Sequence, residues 1–75
     1  MQEMIVQLVK ALVDHPDEVS VKLIEGESTA VYEVKVHPDD AGKVIGKKGR
    51  TINALRTLVT AAASRERRKV MLELV

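Results

Sequence analysis

Val44-Ile45-Gly46-Lys47-Lys48-Gly49-Arg50-Thr51-Ile52 sets two glycines three positions apart, with two lysines between them, where two apolar helical patterns meet. Glycine tolerates positive φ and carries no side chain, so such a loop turns sharply and lets another backbone come close. Two cations stand at its tip, and a helix N-terminus follows directly behind. Backbone N–H groups without helical partners, and the positive end of the helix dipole, favour an anion there. The physical reading is a clamp for a phosphate backbone. The bland alternative is a helix C-cap at Gly46 and a hinge at Gly49. It accounts for the glycines but not for the lysines between them.

Upstream of the loop, Pro38-Asp39-Asp40 opens a short helix that runs to about Ile45. Proline suits a first turn, and the carboxylates read as capping residues that complement the dipole. Downstream, Ile52, Leu55, Val59 and Ala62, widened by Leu58, give a helical stripe to about Ser64. Further out, Ile5, Leu8, Val9 and Leu12 mark an amphipathic helix over residues 2–13, which Asp14-His15-Pro16-Asp17 ends. Val19, Val21 and Leu23 alternate with polar residues, as do Tyr32, Val34 and Val36, across a Gly26-Glu27-Ser28 turn. Two strands joined so closely form an antiparallel hairpin. Val70, Leu72 and Leu74 alternate as a closing strand.

The order is α-β-β-α-α-β. It predicts an α+β fold, with a three-stranded sheet covered on one face by three helices. The last strand follows the second through a helical crossover, which parallel neighbours require, so the sheet is expected to be mixed.

The 75 residues are expected to form one domain, 1–75, with a core of Val, Leu, Ile, Ala and Met, since the only aromatic side chain among Phe, Trp and Tyr is Tyr32. So thin a core points to some stability drawn from a partner or a second copy. With no cysteine, disulfides and thiolate metal sites are excluded, and a cytoplasmic location is expected. No apolar run has the length of a membrane span. Net charge is +1, yet residues 1–42 hold three basic and nine acidic side chains (−6), whereas residues 43–75 hold nine basic and two acidic ones (+7). That asymmetry suggests an anionic partner for the C-terminal half.

The run from Val44 to Ile52 resembles the signature of KH domains, in which a GxxG loop joins two helices. The match includes the apolar pair before the first glycine and Ile52 after the second, and the element order resembles the type II, prokaryotic arrangement. In length and loop the whole chain is similar to the small bacterial single-KH proteins of the KhpA type. That resemblance implies a cytoplasmic single-stranded RNA-binding protein, an RNA chaperone or post-transcriptional regulator. It also implies self-association into a dimer and pairing with a larger KH-containing protein of the KhpB type.

KH modules clamp about four nucleotides through this loop. Carried onto this chain, the resemblance gives Gly46 and Gly49 the shaping of the loop. Lys47 and Lys48 contact phosphates, the amides around Gly49 and Arg50 complete the cradle, and Arg50 and Lys43 extend the positive field. Val36, Val44 and Ile45 form an apolar floor under the bases, and Asn53 and Arg56 reach a base edge or a sugar. The scarcity of aromatics disfavours modules that grip single strands by stacking, such as RRM and OB folds. A protein-assembly role for the same fold is the competing reading; exposed lysines at the loop tip weigh against burying it in an interface.

No cofactor or metal is expected. The pattern G-x-x-x-x-G-K-[ST] of a phosphate-binding P-loop is not supplied, and no Ser-His-Asp, Cys-His or paired-carboxylate arrangement is evident, so catalysis is not expected. His15 and His37 read as turn residues. The cluster Arg65-Glu66-Arg67-Arg68-Lys69 reads first as cations complementing the last turn of the preceding helix, the alternative being an extension of the RNA surface.

Overall fold

The computed structural model describes all 75 residues. Helix α1 (Gln2–Leu12) is followed by strands β1 (Ser20–Glu25) and β2 (Thr29–Lys35), helix α2 (Ala41–Ile45), helix α3 (Arg50–Ala62) and strand β3 (Lys69–Leu74). Short 3-10 turns occupy Pro16–Glu18, Pro38–Asp40 and Lys47–Gly49. The sheet runs β1-β2-β3, with β1 antiparallel and β3 parallel to β2, which is the mixed sheet that the crossover required.

Register explains the layering. Val21 lies opposite Val34 and Leu23 opposite Tyr32 across the hairpin, and Leu72 aligns with Tyr32 on the other side. Alternate residues of β2 are buried, Ala30, Tyr32 and Val34, and they face the helices. Ile5 and Val9 of α1, Val44 of α2 and Ile52, Leu55 and Val59 of α3 close the same core. The opposite sheet face carries Lys22, Ile24, Val31, Glu33, Met71 and Glu73, with Arg56 of α3 reaching round the edge of β3 to Glu73. Both edge strands receive a helix side chain on one carbonyl: Gln2 Nε2 donates to Val21 O at 2.5 Å, and Arg56 Nε to Leu72 O at 3.2 Å.

Two expectations change. Helix α3 stops at Ala62, two residues short of the expected Ser64, where the Ala63 N–H closes on Val59 O. Asp40 does not cap a helix. Its carboxylate is fully buried and accepts from the backbone N–H groups of Asp14 (3.2 Å) and His15 (2.9 Å), and from His15 Nδ1 (2.9 Å). It therefore fastens the α1–β1 connection to the foot of α2, the element that carries the glycine loop.

Candidate nucleic-acid interface

Helix α2 is barely more than one turn long, and the loop begins where it closes. The Gly46 N–H donates to Gly42 O at 2.9 Å, and Gly46 then leaves the helix at φ +78°, ψ 171°. That backbone region belongs essentially to glycine. A side chain would also collide: a Cβ built on Gly46 lies 2.2 Å from Thr51 Oγ1 and 2.9 Å from Thr51 N. The loop thus folds back against the first turn of α3. Lys48 (φ 58°, ψ 25°) and Gly49 (φ 75°, ψ 13°) are both left-handed, so two successive residues reverse the chain into α3. A lysine there costs about 1–2 kcal/mol relative to ordinary backbone, a strain of the kind that clusters at ligand clamps.

The result is an exposed tip with Lys47 and Lys48 projecting from it, and Arg50 exposed on the next turn. None of the three is within ion-pair distance of a carboxylate. Helix α3 has neither a side-chain cap nor an acidic residue in its first turn, so its positive end is uncompensated by the protein. An anion at this tip would meet three free cations and a helix terminus together.

Other expected site residues fall differently. The amides of Gly49 and Arg50 already donate within the loop, to Gly46 O and Lys47 O, and so cannot complete a cradle unless the loop opens. Lys43 faces away from an open field: its Nζ lies 3.1 Å from Asp14 and 3.7 Å from Asp40. The Asp14 hydrogen bond and charge hold its pKa above the ordinary value. Val44 is wholly buried in the core and cannot touch a base, whereas Ile45 beside it is 41% exposed. Val36 is also nearly buried, and its open side lines a separate recess with Pro38, Ala41 and Val75. Of the three residues expected to form the apolar floor, only Ile45 is exposed.

Asn53 and Arg56 lie along α3 beyond the loop. Asn53 stands over the loop, its Nδ2 being among the nearest atoms to Gly49, and accepts from Arg56 Nη1 at 3.4 Å. Arg56 leans across to β3, bonding Leu72 O and approaching Glu73 at 3.9 Å. A recess between α3 and β3 opens beside it, lined also by Thr60, Lys69 and Met71. These β3 residues were not anticipated from the sequence. The spacing Gly49, Asn53, Arg56, Thr60 puts one polar face along α3 and was the available signal; which strand it would face was not.

The histidines also contribute more than turn positions. Their rings stack at 4.1 Å between centroids, 14° from parallel. The Asp40 hydrogen bond raises the His15 pKa above its ordinary value, against some desolvation. Burial pushes the Asp40 carboxyl up, but the His15 bond and the two backbone N–H donors outweigh it, and the net shift is down. Both shifts describe an ion pair.

The family model for the KhpA/KhpB KH domain matches residues 2–74. The chain belongs to that KH-domain family. Among its relatives, the protein named RNA-binding protein KhpA from Caldanaerobacter subterraneus subsp. tengcongensis is 49% identical over 75 residues, covering 100% of both chains. Its namesake from Chlamydia muridarum is 49% identical over 100% of this chain and 96% of its own length. That of Clostridium acetobutylicum is 45% identical over the full length of both. This is not a family of enzymes. In the KH domain seen here, the GxxG segment is Gly46–Gly49, the turn between α2 and α3. No helix of this KH domain is long and apolar enough to cross a membrane.

Proposed function

We propose that this KH domain, of the type II arrangement and spanning residues 1–75, binds single-stranded RNA by clamping its backbone with the Gly46-Lys47-Lys48-Gly49 loop. It would act in the cytoplasm as an RNA chaperone or post-transcriptional regulator. The observation that carries the reading is the unpaired cationic tip: Lys47, Lys48 and Arg50 have no acidic partner, on a loop whose glycine geometry lets a phosphate backbone approach. Full-length relatives named as RNA-binding proteins support it. Ile45 would contact a base, and Asn53 and Arg56 a base edge or a sugar. With about three phosphates neutralised, log K should fall with log salt at a slope of roughly −2.

The working unit would be a dimer, of two copies or with a larger KH-containing protein of the KhpB type, a pairing that the family description supports. Exposed Met4 and Leu12 on α1 and Leu58 on α3, the last 50% exposed, supply apolar surface for it. Joining two weak sites raises affinity without new contacts to RNA.

The test is fluorescence anisotropy of a labelled single-stranded RNA pool against the wild type and a Lys47→Asp, Lys48→Asp variant matched for fold and oligomeric state. Salt-sensitive binding that collapses in the variant is expected. Equal binding by both, or by neither, would move the reading to protein assembly.

A further inference from the structure

The basic run after α3 is not explained by the helix it follows. Cations near a helix C-terminus complement its dipole, but α3 ends at Ala62 and has no basic residue in its last turn. Arg65, Arg67 and Arg68 stand beyond it, on the turn that leads to β3, and Lys69 is the first residue of that strand. Only Arg68 is engaged: it lies 3.5 Å from Glu25 and 3.7 Å from Glu66, which ties the turn to the end of β1. Arg65, Arg67 and Lys69 are exposed and stand in no ion pair. Three like charges within five residues repel one another unless an anion offsets them.

Their position relative to the loop gives them a use. The recess beside Arg56 and a second one toward the turn share Thr60, Lys69 and Val70, so they form one furrow between α3 and β3. Its wall on the α3 side is Arg56 and Thr60, with Ser64 just past the helix, and Asn53, which accepts from Arg56, continues that polar ridge back toward Gly49. The furrow therefore starts at Arg56, about two helical turns past the glycine loop, and ends at Arg68 in the basic turn. Helix α3 has 13 residues, so the glycine loop and the basic turn are about 20 Å apart.

We infer that Arg65, Arg67 and Lys69 form a second phosphate-binding patch, which takes the RNA backbone after it has crossed the α3–β3 furrow. The patch makes the occupied site longer than the roughly four nucleotides of a KH clamp. It rests on the reading of the loop as an RNA clamp, and it assigns the turn a ligand of the same chemistry, the phosphodiester backbone of a single strand.

The experiment compares four-nucleotide and twelve-nucleotide oligouridylates, each end-labelled, titrated at several salt concentrations. The proteins are the wild type, an Arg65→Ala, Arg67→Ala, Lys69→Ala variant, and an Arg65→Lys, Arg67→Lys variant that keeps the charge. A longer strand offers a short clamp several registers, so the salt slope decides rather than the affinity. At roughly 0.7 per phosphate, the wild-type slope should be steeper by about 2 for the long strand than for the short one. The alanine variant should lose that increment and bind the short strand unchanged, and the lysine variant should keep it. An alanine variant with the wild-type slope on the long strand overturns the inference while leaving the loop intact. A Lys47→Asp, Lys48→Asp variant, titrated alongside, that keeps short-strand binding overturns the loop reading and the inference with it. A wild type that binds neither strand overturns both.

Discussion

Gly46 and Gly49 look equivalent in the sequence, but alanine should be tolerated very differently at the two. At Gly46 the backbone sits at φ +78°, ψ 171°, a region that costs a side-chain-bearing residue of order 1–3 kcal/mol. The new Cβ would also lie 2.7 Å from Thr51 Cβ and 2.9 Å from Thr51 N. Those atoms belong to the first turn of α3 and cannot rotate aside, so the loop or the helix must shift, at a further cost of about 1–3 kcal/mol. The sum centres on about 4 kcal/mol. At Gly49 the backbone is left-handed (φ 75°, ψ 13°), but a Cβ meets only Asn53 Nδ2 at 3.7 Å and Ile52 Cγ2 at 4.0 Å, ordinary contacts. There the cost is about 1–2 kcal/mol, reduced by the smaller conformational freedom of the unfolded alanine chain. Stability per residue in ordinary domains implies a total of roughly 4–11 kcal/mol for a chain of this length. Gly46→Ala should therefore remove a large share of it and Gly49→Ala little. Urea unfolding followed by far-ultraviolet circular dichroism would read the gap of about 3 kcal/mol as midpoints separated by about 1–3 M. Equal midpoints would refute the geometry assigned to the loop.

Lys48→Asn should leave the fold as stable or more so by a few tenths of a kcal/mol, since asparagine accepts the left-handed conformation more readily; thermal melts and RNA titration together should show that gain beside weaker binding. Val44→Ala should cost about 2 kcal/mol, two buried methyl groups plus a cavity. Ile45→Ala should cost less than 1 kcal/mol and instead weaken RNA binding; reversal of that pattern in paired melts and titrations would undo the assignment of their facing. For pH, His15 is raised from 6.5, so its contribution is complete below that value and is lost as pH rises through the folded-state pKa. Asp40 is lowered from 3.8, so its contribution is present above that value and is lost as pH falls through the folded-state pKa. Urea midpoints measured across pH should decline on both sides of that window, and His15→Gln should abolish its share of the alkaline decline; an unchanged alkaline slope would count against the ion pair.

Element order, hairpin, crossover and loop were legible because each rests on local periodicity or on glycine. What was not legible depends on contacts far apart in the chain. Lys43 seems free in sequence, but the turn holding Asp14 folds onto it. Asp39 and Asp40 look like one capping pair, yet one is exposed and the other buried, because the His15 turn packs on only one side of the helix start. In α2, five residues span too few turns for periodicity to say which of Val44 and Ile45 faces inward. The basic run reads as complementing a helix that continues through the alanines to Ser64, because alanine is a strong helix former, but the helix stops at Ala62, and propensity does not place a helix end to within two residues.

The two helix side chains seated on the sheet edges, Gln2 on Val21 O and Arg56 on Leu72 O, have a consequence for the behaviour of the protein in concentrated solution. A three-stranded sheet with two open sides is a template for cross-β growth, in which each molecule adds to the next. Here an arriving strand would first have to evict a hydrogen-bond donor held by its own helix, on either side. The same two residues thus act as gatekeepers against fibre formation, and substituting both with alanine should shorten the lag before fibrils appear while leaving the fold intact.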